Sequence, residues 1–510
     1  VTAAYRPFRR VLIANRGEIA VRIVRACREM GLETVAVASE PDRHAPHAMA
    51  ADQCVVLGDG PAAESYLNAD KVLAAARQTH SDAVHPGYGF FAERAEFAQR
   101  VVDAGLVWIG PSPQVIDALG DKVRAKELAR SSNVPTSPSW EGDAGHLPAA
   151  LQAAEAIGWP VLIKAAAGGG GRGMRVVTDG QKLADAIESA SREAAAAFGS
   201  GRVFLEKYLE PARHVEIQIL GDAHGNVFAF GERECSVQRR HQKIIEESPS
   251  PAVSPALRLR MSEAAVSLAK AVGYVGAGTV EFLLTPDGAF HFLEVNTRLQ
   301  VEHPVTELVQ GVDLARFQIR AAMGEDLGDD LDRPWHPRGH AIELRICAED
   351  PGMQFAPQAG RILHLELPRG PGVRVDCGIR TGFEIPPHYD SLVAKLIVHA
   401  ANREAAIDRA LLALRDFVLL GPATNVEYLR AILSHERFRA GDLATSFLAR
   451  HFADWKPEAE APPEVLLAAA AGEMLGGVGA GPAAKSAVRE GGAAPTPWET
   501  LGPWRVRGED

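Results

Sequence analysis

Apolar runs and alternating positions divide this chain into elements before any single residue stands out. Arg10-Val11-Leu12-Ile13-Ala14 is a short unbroken apolar run, as a strand buried on both faces requires. Asn15-Arg16-Gly17-Glu18 turns the chain. Ile19, Ile23, Val24 and Cys27 then recur at helical spacing within Ile19–Met30, and Gly31 closes that helix. Thr34–Ala38 is the next apolar run, so the chain opens as βαβ, resembling the start of a nucleotide-binding domain. No G-x-G-x-x-G accompanies it, which weakens a dinucleotide reading. Ala83–Phe90 reads as a strand end entering the loop His85-Pro86-Gly87-Tyr88-Gly89-Phe90, and Val107–Pro111 as a further strand and turn. Loops in that position often carry function, but a tight turn packed on aromatics has the same composition.

A helix is predicted over Asp117–Ser131, carrying Lys122, and a second unit begins near Val134-Pro135. Val161–Lys164 is a strand ending in lysine. Ala165–Gly173 follows, with four consecutive glycines at 168–171 and then Arg172; Met174–Val177 is the return strand. Consecutive glycines expose backbone N–H groups and allow close approach to phosphate oxygens. Lys164 and Arg172 add charge for the same anions. No Gly-Lys-Ser/Thr follows, so this is not a Walker A loop. A flexible surface hairpin would share the glycines; a mobile lid would use them. Lys182–Phe198 reads as a helix and Val203–Leu209 as a strand. His214–Ile219 alternates cleanly and pairs with Val227–Phe230 across a turn at Asp222–Asn226. Gln238–Lys243 is a basic cluster that a solvated strand would equally explain. Helices are predicted at Ser254–Gly273, Val305–Met323, Arg403–Leu414 and Asn425–Leu433. Further strands are predicted at His340–Cys347, Gly360–Glu366 and Leu392–Val398.

The densest pattern is Glu281–Glu302. Asp287-Gly288 lies between two apolar runs, a strong hairpin signal. Folding about that pair sets Pro286 against Ala289, Leu283 against Phe292, and Glu281 against Glu294. Carboxylates directly opposed in a ladder repel, and a cation between them removes the conflict. Asn296 shares their face by strand alternation, giving three hard oxygen donors of the kind Mg²⁺ uses with substrate phosphates. If the extended backbone continues, Arg298, Gln300 and Glu302 join the same row. A surface hairpin with a charged outer face is the bland alternative.

Composition narrows the class. The chain has 510 residues, 46% hydrophobic and 23% charged, enough for two to four domains. A net charge of −11, from 54 basic and 65 acidic residues, argues against a nucleic-acid surface but leaves room for a local anion pocket. Five scattered cysteines without CxxC spacing fit a reducing compartment and give no zinc signature. No secretory apolar region or membrane-length apolar segment is present, so a cytoplasmic location without membrane insertion is expected. Pro457–Thr500 is rich in Ala, Gly, Pro and Glu, with a helical piece possible at Pro463–Leu475; the rest reads as linker or tail.

Taken together, the motifs resemble biotin carboxylase of the ATP-grasp superfamily, over roughly residues 8–450. They are Ile13–Ala20, His85–Phe90, the Lys164…Gly173 loop, Glu206-Lys207-Tyr208-Leu209-Glu210, Gln238–Lys243, Glu294–Pro304 and His340…Pro351. The resemblance implies an α/β and α+β multidomain ATP-grasp fold. Its parts are a Rossmann-like N-terminal domain (1–120), a lid region with a mobile Gly-rich loop (121–211), and a catalytic core with an α+β C-terminal domain (212–450). A tail follows (451–510). It implies carboxylation of biotin with ATP, Mg²⁺ (or Mn²⁺) and bicarbonate. By likeness, Glu281 and Glu294 hold the metal with Asn296 nearby. Lys122, Lys164, Gly168, Gly169, Gly170, Gly171, Glu206, Lys207, Leu209, His214, Gln238, His241 and Leu283 line the nucleotide. Lys243, Arg298, Gln300 and Val301 position bicarbonate, Glu302 is the base, and Arg345 faces the biotin ureido oxygen.

The chain departs from the family's usual pattern at Ala167, where many relatives have a fifth glycine, and at Phe91-Ala92-Glu93-Arg94. No Ala-Met-Lys-Met attachment motif occurs, so biotin is expected on a separate biotin carboxyl carrier. A carboxyltransferase subunit is the expected further partner, and a homodimer or larger complex the expected assembly. Another ATP-grasp ligase forming an acylphosphate, or a noncatalytic nucleotide-binding scaffold, are the alternatives. Biotin-dependent ATP hydrolysis in bicarbonate separates the first; intact metal and base positions count against the second.

Overall fold

The computed structural model describes residues 5–457 except 143–145, 167–173 and 334, together with 467, 470 and 471. The chain divides into units Val1–Trp455 and Lys456–Asp510, and every element below belongs to the first. The predicted helical piece at Pro463–Leu475 lies almost wholly outside the described residues. So do the glycine positions Gly168, Gly169, Gly170 and Gly171, with Arg172.

The N-terminal apolar runs form a parallel sheet. Its strands are β1 (Arg10–Ile13), β2 (Glu33–Ser39), β3 (Gln53–Gly58), β4 (Ala83–His85) and β5 (Val107–Trp108), in the order β3-β2-β1-β4-β5. Val11, Leu12 and Ile13 are fully buried, which is why that run shows no alternation. The strand order reverses between β1 and β4, where the loops after both strands meet. Asn15 Nδ2 donates there to the carbonyls of Pro86 (2.6 Å) and Tyr88 (2.7 Å).

A second, antiparallel sheet holds β6 (Ser139–Trp140), β7 (Val161–Ala165), β8 (Arg175–Val177) and β9 (Val203–Lys207), in the order β6-β9-β7-β8. The largest sheet is antiparallel throughout. It contains β10 (Arg213–Gly221), β11 (Val227–Arg239), β12 (Gln242–Ser248), β13 (Gly276–Leu284), β14 (Phe290–Asn296), β15 (His340–Cys347), β16 (Val373–Cys377) and β17 (Leu392–Ala400). Their order is β14-β13-β10-β11-β12-β15-β17-β16. Val215, Ile217 and Ile219 turn one face of β10 onto Met261 and Leu268 of helix Pro255–Ala271. His214, Glu216 and Gln218 take the other face, also buried. Among the described residues no helix is long and apolar enough to cross a membrane.

The structure departs from several sequence expectations. The helix expected over Asp117–Ser131 is two helices, Pro113–Gly120 and Lys122–Ser131. Asp121 between them is extended and caps the second, accepting from Val123 N and Arg124 N. Val305–Met323 likewise splits into His303–Gln310 and Leu314–Ala322, because Gly311 enters the left-handed region and Asp313 caps the next helix. The strand expected to continue past Asn296 stops there; Glu302 immediately precedes a helix. Val203–Leu209 ends as a strand at Lys207, whereas the strand from Val227, partner of the His214 strand, runs on to Arg239. Gly360–Glu366 is two short pieces, Gly360–Arg361 and His364–Glu366, paired with different strands.

Candidate active site

The site grows from the β13–β14 hairpin. Its loop is Pro286-Asp287-Gly288, closed by Thr285 N to Ala289 O (2.9 Å), with Gly288 at φ +81°. A three-residue loop with glycine in the left-handed position is a standard hairpin solution. It shifts the nearby pairing by one residue from expectation: Leu283 faces His291, and Phe282 faces Phe292. A bulge at Leu293 then restores the register, and Glu281 faces Glu294 as expected. On the other side of β13, Glu281 also faces Glu216 of β10, and Glu216 faces Arg233 of β11. A row of charged side chains therefore crosses four neighbouring strands.

Lys243, near the start of β12, reaches into this row. Its Nζ lies 2.6 Å from Glu216 and 2.7 Å from each of Glu281 and Glu302. One ammonium thus serves three carboxylates that are almost wholly buried. Glu281 also accepts from Asn296 Nδ2 (2.8 Å) and Gln300 Nε2 (3.3 Å), and His214 Nε2 lies 2.9 Å from it. Burial alone opposes ionisation of Glu281, but Lys243 and His214 outweigh it and hold its carboxyl well below the usual range. Glu302 behaves likewise: burial is overcome by Lys243, Arg345 and Arg233, and the carboxyl stays ionised. Its Oε2 accepts from Arg345 Nη2 at 3.0 Å.

The row continues without a strand to carry it. Arg298 Nη2 donates to Asn296 Oδ1 (2.9 Å), Nη1 to Gln300 Oε1 (3.0 Å), and Nε to Glu93 (2.8 Å). Val301 contributes its carbonyl to Lys395 Nζ (2.8 Å). Arg298, Gln300 and Glu302 thus converge through an irregular segment rather than by alternation.

A second charge cluster lies in the four-stranded sheet. Glu206 receives Lys164 Nζ at 2.6 Å, Lys126 Nζ at 2.9 Å and the Ser137 hydroxyl. Burial is opposed by both lysines, which hold Glu206 down at about 2. Lys122 instead meets Glu294 at 2.7 Å, and its backbone N–H donates to Ala166 O next to the glycine loop. Lys207 turns its ammonium to the carbonyls of Gly158 and Trp159, away from Glu206. Leu209 is half-buried beyond the strand, and Leu283 pairs with His214. Gln238 Nε2 lies 2.8 Å from His214 Nδ1. His241 is exposed at the tip of the β11–β12 hairpin, where Arg240 and His241 both have positive φ.

Sequence reasoning did not single out Glu216, Arg233, Lys126 or Glu246. The signal for Glu216 was available: three polar residues on one face of an otherwise apolar alternating strand. The metal donor set fits a hard divalent cation. Glu281 and Glu294 are opposed and each already holds an ammonium, Lys243 and Lys122 respectively. Asn296 would present Oδ1, which here accepts from Arg298.

A four-stranded sheet with the buried Lys164–Glu206 pair, and an eight-stranded sheet whose edge hairpin opposes Glu281 to Glu294, are the parts of an ATP-grasp protein. Three family models cover the chain in succession. Residues 7–116 match the biotin carboxylase N-terminal domain, and 121–330 match the carbamoyl-phosphate synthase L chain ATP-binding domain. Residues 343–450 match the biotin carboxylase C-terminal domain. A biotin carboxylase of Nostoc sp. is 49% identical over 441 residues, 86% of this chain and 98% of that protein. The biotin carboxylase domain dimer of Hydrogenobacter thermophilus 2-oxoglutarate carboxylase, solved with MgADP, ADP and bicarbonate, superposes with TM-score 0.84. It is 44% identical and covers 88% of this chain and 99% of that one. The biotin carboxylase of Campylobacter jejuni, solved as a β-γ-ATP complex, also gives 0.84, at 41% identity over 87% and 99% of the two chains. The chain belongs to the biotin carboxylase family.

Proposed function

We infer that this chain carboxylates biotin with ATP and bicarbonate, the first half-reaction of a biotin-dependent acyl-CoA carboxylase. Mg²⁺ held by Glu281 and Glu294, with Asn296 beside them, would offset charge on the transferring phosphoryl group. Lys164, Lys122 and the glycine-loop N–H groups would act on the same phosphates. Lys243, Arg298, Gln300 and Val301 hold bicarbonate, and Glu302 takes its proton as its oxygen attacks the γ-phosphorus. ADP leaves and carboxyphosphate forms. Carboxyphosphate breaks to CO₂ and phosphate, and the phosphate accepts the biotin N1′ proton. The nitrogen then attacks CO₂ while Arg345 donates to the negative ureido oxygen. A closing lid keeps water from the labile intermediate.

The observation that carries this reading is Glu302 held ionised between Lys243 and Arg345, one group for each half of the chemistry. A ligase for another carboxylate would share Glu281 and Glu294 but would have no use for Arg345 beside the base. The carrier and carboxyltransferase are separate partners in this reading, and the dimeric Hydrogenobacter relative supports a homodimer. Glu302→Gln tests it: MgATP binding should persist while bicarbonate-dependent ATP turnover with free biotin falls by roughly 10²–10⁴-fold. Turnover at the parent rate would remove Glu302 from the base role.

A further inference from the structure

Behind Arg345 lies a second pair of acids that the reaction above does not use. Glu246 of β12 and Glu343 of β15 are direct cross-strand partners, and both are 0% exposed. Glu246 Oε1 accepts from Arg345 Nε at 2.6 Å. Its Oε2 has no hydrogen-bond partner, and neither oxygen of Glu343 has one. Opposed strand residues hold their Cβ atoms about 4.5–5.5 Å apart, close enough for two carboxyl groups to share a proton. A second bare carboxylate there, buried with neither oxygen bonded as Glu343 would be, would cost several kcal/mol.

The neighbouring cations do not remove that cost. Arg345, on β15 itself, divides its guanidinium between Glu246 and Glu302. Lys395, from β17, is shared among Glu18 (3.3 Å), Asp376 (3.8 Å) and the Val301 carbonyl. Lys243, from β12, is held by its three carboxylates. The adjoining helix contributes buried His303, whose Nδ1 bonds Gln300 O. Glu302 adds a further negative charge. Burial pushes Glu246 up to about 7 despite Arg345, and pushes Glu343 well above the ordinary carboxylate range despite Lys395.

We propose that Glu343 is a neutral carboxylic acid whose proton bridges to Glu246 Oε2, which makes Glu343 a positioning residue for Arg345. The proton belongs on Glu343 because Glu246 is the member paired with a guanidinium. Arg345 then faces two full carboxylates, Glu246 behind it and Glu302 in front, rather than three. A third negative charge would draw the guanidinium back from any substrate oxygen. Without the bridge, Glu246 is free to turn and take Arg345 with it. The proposal rests on Arg345 serving the substrate oxygen, but the protonation itself can be tested apart from turnover.

Infrared difference spectra of wild type and Glu343→Gln test it directly. At neutral pH the wild type should show the carbonyl stretch of a buried protonated carboxyl, shifted in D₂O, and Glu343→Gln should lack it. Absence of the band in wild type, or its survival in the variant, would overturn the proposal whatever the role of Arg345. Kinetics supply the second arm. Glu343→Leu, which has no donor, should raise KM for free biotin roughly tenfold, as expected for one lost hydrogen bond to a charged group. Glu343→Gln, whose amide N–H can still donate to Glu246, should restore most of that loss and flatten the alkaline limb of the pH profile. Equal impairment of the two variants would count against the bridge.

Discussion

Two buried charge clusters in this molecule are built to opposite plans. In the four-stranded sheet one carboxylate, Glu206, sits between two ammonium groups, Lys126 and Lys164. In the eight-stranded sheet one ammonium, Lys243, sits among three carboxylates. The first has positive charge to spare and suits an anion such as the phosphates of a nucleotide. The second gives Glu216 and Glu302 a guanidinium each, Arg233 and Arg345, but leaves Glu281 only a share of Lys243 beside His214, and so suits a divalent cation there. Neither imbalance has a purpose in stability alone, since burying ions without full compensation is costly. Ligands of opposite sign are what each cluster lacks, and a metal–nucleotide complex supplies both.

The largest effect should come from removing the lone ammonium. Lys243→Gln leaves Glu216, Glu281 and Glu302 facing each other in a buried space. It should destabilise by roughly 3–5 kcal/mol, the range for breaking a buried pair, and abolish bicarbonate-dependent turnover. The matching change in the other cluster, Lys126→Gln, still leaves Lys164 on Glu206 and should cost only about 1 kcal/mol. Thermal unfolding of the two variants side by side measures the contrast. Equal losses would mean that the imbalance has no energetic content. Mg²⁺ should recover part of the loss in Lys243→Gln and none in Lys126→Gln.

How the comparison looked from sequence explains what was legible. The acids of the hairpin could be read, because one turn signal and strict alternation place Glu281 against Glu294. The turn is in fact offset by one, and the bulge at Leu293 cancels the offset. The parallel sheet was legible because buried strands leave unbroken apolar runs. Glu216, Arg233 and Glu246 were not singled out because their roles depend on register between strands far apart in sequence. No local pattern reports that β10 lies beside β13 or that β12 lies beside β15. The two helix breaks carried local signals, Asp121 and Gly311-Val312-Asp313, but helical apolar spacing on either side masked them. Glu302 reached its place by a physical route different from the one alternation suggested.

Metal linkage is the next prediction in size. A ligand that binds only the native state stabilises by about 2.7 kcal/mol at one hundred times its Kd. Mg²⁺ with a nonhydrolysable nucleotide should therefore raise the midpoint of denaturant unfolding in wild type. Glu294→Gln should lose most of that increment while its unliganded stability stays close to wild type, because Glu294 is partly exposed and, among the described residues, is paired with Lys122 alone. An unchanged increment in Glu294→Gln would detach the hairpin acids from the metal.

The smallest effect concerns the acid pair behind Arg345, a third arrangement in which a proton takes the place of a cation. Both folded-state values are raised, so the stability the pair contributes is full below the unfolded carboxyl value of about 4.3. It declines as pH rises toward the folded value, which for Glu246 is about 7. Glu343→Gln removes one titrating group from that pair. Its midpoint should therefore gain on wild type between pH 5 and pH 8, by roughly 1–2 °C in a chain of this size. A constant offset across that window would mean that the pair binds no extra proton in the folded protein. The eight-stranded sheet would then hold its surplus of negative charge without any proton to relieve it, and the contrast with Glu206 would be wider still.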